Sequence, residues 1–142
     1  SFPTRRSSDL LKDLTVDLGD RQHRLKWMNL VGGLSRLEVL GLLATNAQRA
    51  FIQITHEELS ALKSLTDLRI LKIGCSYNYG SDFATENLDL WSRLDSLYLA
   101  SRDIGFNDSF VETLTSRLPM LKISRLLTDR FFFVESFHSD SY

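Results

Sequence analysis

A six-residue pattern of Leu, two residues, Leu, one residue and an aliphatic recurs five times in this 142-residue chain, and no other feature restricts its folding so tightly. The copies are Leu11-Lys12-Asp13-Leu14-Thr15-Val16, Leu37-Glu38-Val39-Leu40-Gly41-Leu42, Leu68-Arg69-Ile70-Leu71-Lys72-Ile73, Leu94-Asp95-Ser96-Leu97-Tyr98-Leu99 and Leu118-Pro119-Met120-Leu121-Lys122-Ile123, starting 26, 31, 26 and 24 residues apart. In each copy the last two aliphatics flank one variable residue, the period-2 signature of a short strand with one face buried. Strands this far apart suit a crossover through a helix rather than a hairpin, and a crossover makes neighbouring strands parallel. The same three-residue step extends one position further back at Leu34, Leu65 and Trp91.

The spacers read as helices. Trp27, Leu30, Val31 and Leu34 fall at i, i+3, i+4 and i+7, with Gly32 and Gly33 marking the helix end. Thr55-His56-Glu57-Glu58 has the form of a capping box, and Leu59, Leu62 and Leu65 follow on one helical face. Ala84, Leu88 and Trp91 take i, i+4 and i+7; Ser109-Phe110-Val111-Glu112 has the form of a second capping box, ahead of Leu114 and Leu118. Stretches 44–53 and 76–82 are expected to be loops on one rim. The expected fold class is α/β, with four helices alternating with five parallel strands.

Both ends of the chain differ from this pattern. Residues 1–10, Ser-Phe-Pro-Thr-Arg-Arg-Ser-Ser-Asp-Leu, can be back-translated as TCT TTC CCT ACA CGA CGC TCT TCC GAT CT, which resembles the end of a common short-read sequencing adapter. They are expected to be an artefact and stay out of fold reasoning. Residues 11–127 form the repeat domain. From Thr128 the repeat stops, and the aromatic run Phe131-Phe132-Phe133 belongs either to a C-terminal cap or to a non-native tail.

On these five copies with helical spacers the chain resembles the leucine-rich repeat family, over roughly Leu11 to Ile123. The resemblance implies a solenoid with parallel strands on the concave face and helices on the convex face. The repeat lengths are most similar to the ribonuclease-inhibitor-like and F-box-associated branches. The Asn or Cys that usually closes the strand turn is inconsistently placed, with Asn46 and Cys75 as candidates and Asp17 and Asp103 as weaker substitutes. From the family follows the expected function, a protein–protein interaction scaffold serving as the partner-recognition repeats of an intracellular F-box-like ubiquitin-ligase adaptor. Two alternatives are the sensor repeats of a nucleotide-binding immune receptor and an enzyme domain with an unrecognised site.

Composition narrows the partner. A net charge of −1, 43% hydrophobic residues and the absence of a basic block argue against disorder and nucleic-acid binding, and no apolar run is long enough to span a membrane. One cysteine, Cys75, cannot form an internal disulfide, which points to a reducing compartment, cytoplasmic or nuclear. His56-Glu57-Glu58-Leu59-Ser60 begins like a zinc-protease helix but has Ser60 where the second imidazole must stand. No nucleophile elbow or glycine-rich phosphate loop occurs, so the chain is expected not to be an enzyme and to use no cofactor, metal or small-molecule ligand. Asn107-Asp108-Ser109 fits a glycosylation sequon, but helix capping by Ser109 is the preferred reading.

The binding surface is then expected on the strand positions that alternate with the aliphatics. The central row is Thr15, Gly41, Lys72, Tyr98 and Lys122. Its neighbours are the row of Asp13, Val39, Ile70, Ser96 and Met120 and the row of Asp17, Leu43, Gly74, Ala100 and Ser124. Tyr98 between Lys72 and Lys122, with Thr15, Val39, Ile70 and Leu43, makes a mixed apolar and basic patch suited to an acidic or amphipathic protein segment.

Overall fold

Alternating aliphatics become strands because every second side chain buries itself while backbone groups bond sideways. A computed structural model describes residues 11–17, 24–43, 54–74, 79–101 and 107–127; stretches 1–10, 44–53 and 128–142, Asn46, Cys75 and Asp103 therefore lie outside the described residues. The elements are β1 (Asp13–Asp17), α1 (Arg24–Gly32), β2 (Val39–Leu43), α2 (His56–Ser60) running into a 3₁₀ turn (Ala61–Ser64), β3 (Ile70–Gly74), α3 (Ser81–Glu86), α4 (Leu88–Trp91), β4 (Ser96–Ser101), α5 (Asp108–Arg117) and β5 (Lys122–Leu127). The strands form one five-stranded parallel sheet in the order β1-β2-β3-β4-β5. The α/β class and the parallel crossovers are thus as expected.

Across the first four strands the register follows the repeat: Leu14, Leu40, Leu71 and Leu97 stand side by side, as do Val16, Leu42, Ile73 and Leu99. Leu40, Leu71 and Leu97 are wholly buried, each stabilising the fold by roughly 1.5–3 kcal/mol. Just before the strands, Lys12 meets Glu38 at 3.7 Å and Arg69 meets Asp95 at 3.4 Å. These pairs are exposed and stabilise by only about 0–1 kcal/mol each, but their alternating signs oppose a slip.

The helical side covers those rungs. Met28, Val31 and Leu34 from the first spacer, Leu59, Leu62 and Leu65 from the second, Trp91 from the third, and Phe110 and Leu114 from the fourth are buried in one core. Leu30, expected among them, is half-exposed, and Met28 takes its place. At Gly32 an added Cβ would stand 2.3 Å from the Ala61 carbonyl oxygen, so only glycine lets α1 approach the 3₁₀ turn this closely.

The Thr55 capping box forms in full: the Thr55 hydroxyl accepts from the Glu58 N–H at 3.1 Å and the Glu58 carboxylate accepts from the Thr55 N–H at 2.9 Å. The Ser109 box does not form. α5 begins at Asp108, after Asn107 in a left-handed conformation (φ 63°), so Ser109 already lies inside the helix. Asn107 is instead buried, and its side-chain oxygen accepts from the Tyr79 N–H at 2.5 Å. The Tyr79 hydroxyl in turn accepts from the Ile54 N–H at 2.6 Å, which ties three successive repeats together.

The third spacer was expected to be one helix over Ala84, Leu88 and Trp91, and part of its start to be loop. Ser81 and Asp82 already belong to α3, and Asn87 separates α3 from α4. Its backbone (φ −123°, ψ 28°) leaves the helical region, and its carbonyl accepts from the Leu90 and Trp91 N–H groups that start α4. Tyr79 stacks on Phe83 at 3.9 Å, and Phe110 meets Phe83 and Trp91 at 5.6 and 5.4 Å, filling the space beneath.

The fifth strand departs from the expected register. Lys122 pairs with Ser96, Ile123 with Leu97, Ser124 with Tyr98 and Arg125 with Leu99, two residues off the alignment drawn from Leu118 and Leu121. The turn explains the shift. The Leu121 N–H bonds to the Leu118 carbonyl as the Leu94 N–H bonds to that of Trp91, so the Leu-x-x-Leu step there matches the earlier step, three residues back. β5 then begins one residue after Leu121 where β4 begins two after Leu94, which leaves a net shift of two. Met120 is left 89% exposed. No helix among the described residues is long and apolar enough to cross a membrane.

Leu71 sits in the central strand with no exposed surface. Leu71→Ala is expected to cost about 2–5 kcal/mol, measured by urea unfolding; an unchanged midpoint would contradict its place in the core.

Candidate functional site

Alternation along the strands leaves one sheet face away from the core, and the side chains on it come from alternate residues of each strand. Its central row is Thr15, Gly41, Lys72, Tyr98 and Ser124. The first four are the residues expected there; the fifth is not. Lys122 lies instead in the neighbouring row of Asp13, Val39, Ile70 and Ser96, so Tyr98 is not flanked by two lysines in its row. Met120, expected in that neighbouring row, precedes the strand altogether. Leu43 pairs with Gly74 through the backbone, and its side chain lies outside the described residues.

The local geometry follows from side-chain size. Gly41 leaves space between its neighbours, because an added Cβ there would come within 3.0–3.3 Å of the Thr15 side chain. Lys72 is only 4% exposed, so it is not the solvated lysine its position between two strand aliphatics suggested. Its ammonium lies 5.8 Å from the centroid of the Tyr98 ring, within the range where the negative ring face attracts a cation. Tyr98, Val39 and Ile70 are half-buried while Thr15 and Lys122 are exposed. The arrangement offers a cation held against an aromatic ring, with aliphatic surface beside it and a second lysine on the edge strand.

A second cluster was not anticipated. The Asn87 amide donates to the Phe83 carbonyl at 3.0 Å, which orients it, and its nitrogen lies 3.2 Å from His56 Nδ1. With Nδ1 accepting, the ring proton sits on Nε2, 2.9 Å from the Glu86 carboxylate. An imidazole so oriented resembles part of an acid–base relay, but its two partners among the described residues are an amide and a carboxylate, with no hydroxyl or thiol bonded to the ring for it to activate. Among the described residues no group of three His, Cys, Asp or Glu is placed to hold a metal ion. What the cluster does is join α2 to the α3–α4 junction. No spacing in the sequence signals it, since His56 and Asn87 are 31 residues apart and meet only through the stacking of repeats.

Compared with protein families, curated proteins and solved structures, the chain matches none.

The contact between Lys72 and Tyr98 can be isolated by a double-mutant cycle. Lys72→Met with Tyr98→Leu is expected to give a coupling of roughly 0.5–2 kcal/mol in unfolding free energy; additive effects would show that the two do not interact.

Proposed function

We propose that this chain is a non-enzymatic protein-binding module, built as a leucine-rich repeat solenoid with strands on its concave face and helices on its convex face. In this reading it supplies the partner-recognition repeats of an intracellular F-box-like adaptor. Supporting the repeat reading are offsets of 26, 31, 26 and 26 residues between paired strands and a helical crossover in every spacer. The adaptor assignment rests on the similarity of repeat length and helix content to the F-box-associated branch, which is an analogy of fold.

The observation that carries the binding reading is the Lys72–Tyr98 pair on the strand face. A tyrosine with a cation against its ring presents a rigid aromatic body and a hydroxyl at little entropic cost, the kind of group that anchors protein interfaces. Half-buried Val39 and Ile70 lie in the adjoining row, and exposed Lys122 stands at its end. The matching partner is a protein segment that is acidic or amphipathic, its carboxylates meeting exposed Lys122 and its apolar side chains meeting Tyr98 and the aliphatics.

Screening the 142-residue protein against a displayed library of acidic, amphipathic peptides, followed by titration of the peptides selected, tests this. Tyr98→Ala is expected to weaken binding at least about tenfold while the protein stays folded. Glu112→Ala, on the exposed side of α5, should leave binding unchanged. Wild-type affinity in the Tyr98 variant, or no selected peptide, would overturn the site.

A further inference from the structure

Among the described residues the five-stranded parallel sheet has two outer edges, β1 and β5, and the outward backbone donors and acceptors of each pair with no other described strand. Because all pairs are parallel, β5 of one copy can meet β1 of another in the same geometry that joins the strands within the chain. Extending the register that relates neighbouring strands would set Lys122 beside Asp13, Ile123 beside Leu14 and Ser124 beside Thr15. The first pair is of opposite charge, and Asp13 and Lys122 are both exposed. The second is apolar, with both members only partly buried against the core.

Each end also exposes a large apolar side chain outside the sheet. At 100° per residue, Leu30 lies on the side of α1 roughly opposite Gly32, which faces the 3₁₀ turn of the next repeat. Leu30, half-exposed, thus points away from the chain's own repeats. At the other end, beside β5, Met120 is almost wholly exposed. Two rungs are mismatched, Arg125 against Val16 and Leu126 against Asp17; the Arg125 guanidinium is turned aside to the Asp108 carboxylate at 2.5 Å.

We propose that the two sheet edges are complementary and that a second copy of this chain docks head to tail, β5 of one copy pairing in parallel with β1 of the next, with Lys122 against Asp13. The contact is heterologous and does not close on itself, so growth is open-ended. It uses the edges and leaves the sheet face at Tyr98 uncovered, so it does not depend on the binding role assigned to that face.

Sedimentation velocity of the 142-residue protein over a range of concentrations is the test, with circular dichroism to follow folding. The mean mass should rise continuously with concentration and fall as salt is added, since an exposed charge pair is screened. Asp13→Lys or Lys122→Glu alone should weaken association at least about tenfold by setting like charges together, and combining both in one chain should restore it. A wild-type monomer at every concentration, a closed dimer, or association indifferent to either reversal would overturn the proposal. So would a folded double variant that fails to associate. Should a reversal unfold the chain, the salt dependence of the wild type decides, and association unmoved by salt counts against the Lys122–Asp13 contact.

Discussion

At the start of β2, β3 and β4 one backbone carbonyl of the preceding repeat accepts two N–H bonds at once. Lys12 accepts from Glu38 and Val39, Glu38 from Arg69 and Ile70, and Arg69 from Asp95 and Ser96, at 2.7–3.1 Å. A carbonyl has two lone pairs, and using both fixes where each strand begins relative to its neighbour. A slip of one residue would break both bonds and turn every aliphatic rung to the opposite face. Register is therefore set at the strand entrance, and the core and the strand face both follow from it. The alternating charges of Lys12, Glu38, Arg69 and Asp95 sit on these same residues, so electrostatics and hydrogen bonding favour one alignment.

Once register is set, packing on the two sides of the sheet is set with it. Toward the helices, identical aliphatics stack in rows, and the crossovers need only present apolar residues above them. Where the third spacer meets the fourth, aromatic rings pack together, with Tyr79, Phe83, Trp91 and Phe110 forming one connected cluster. The buried polar groups there are partnered across repeats, Ile54 to Tyr79 and Tyr79 to Asn107, which removes the cost of leaving them unsatisfied, about 1–3 kcal/mol for each. Away from the helices, the same register puts Lys72 beside Tyr98 and gives the sheet face its character.

Much of this was legible in the Leu spacing. Four strands stand where the alternation placed them because two aliphatics with one intervening residue allow only one strand face to be buried. The fifth was misaligned because Leu118 and Leu121 repeat the same three-residue step as both Trp91-Leu94 and Leu94-Leu97, and only the turn bond at Leu121 decides between them. Thr55 is readable as a cap since its partner Glu58 lies in the same turn; Ser109 has the form of a cap but not the place of one, because Asn107, drawn to Tyr79 28 residues away, fixes the start of α5. The burial of Lys72 has no local signal at all. It depends on neighbours from other strands, as does the meeting of His56 with Asn87.

Scalar couplings transmitted through backbone hydrogen bonds test the strand-entrance constraint most directly, since each reports one donor and one acceptor in solution. The account requires couplings from the Ile70 nitrogen to the Glu38 carbonyl carbon and from the Ser96 nitrogen to that of Arg69. Couplings that instead link these nitrogens to residues within their own spacers, or to partners running antiparallel, would contradict it.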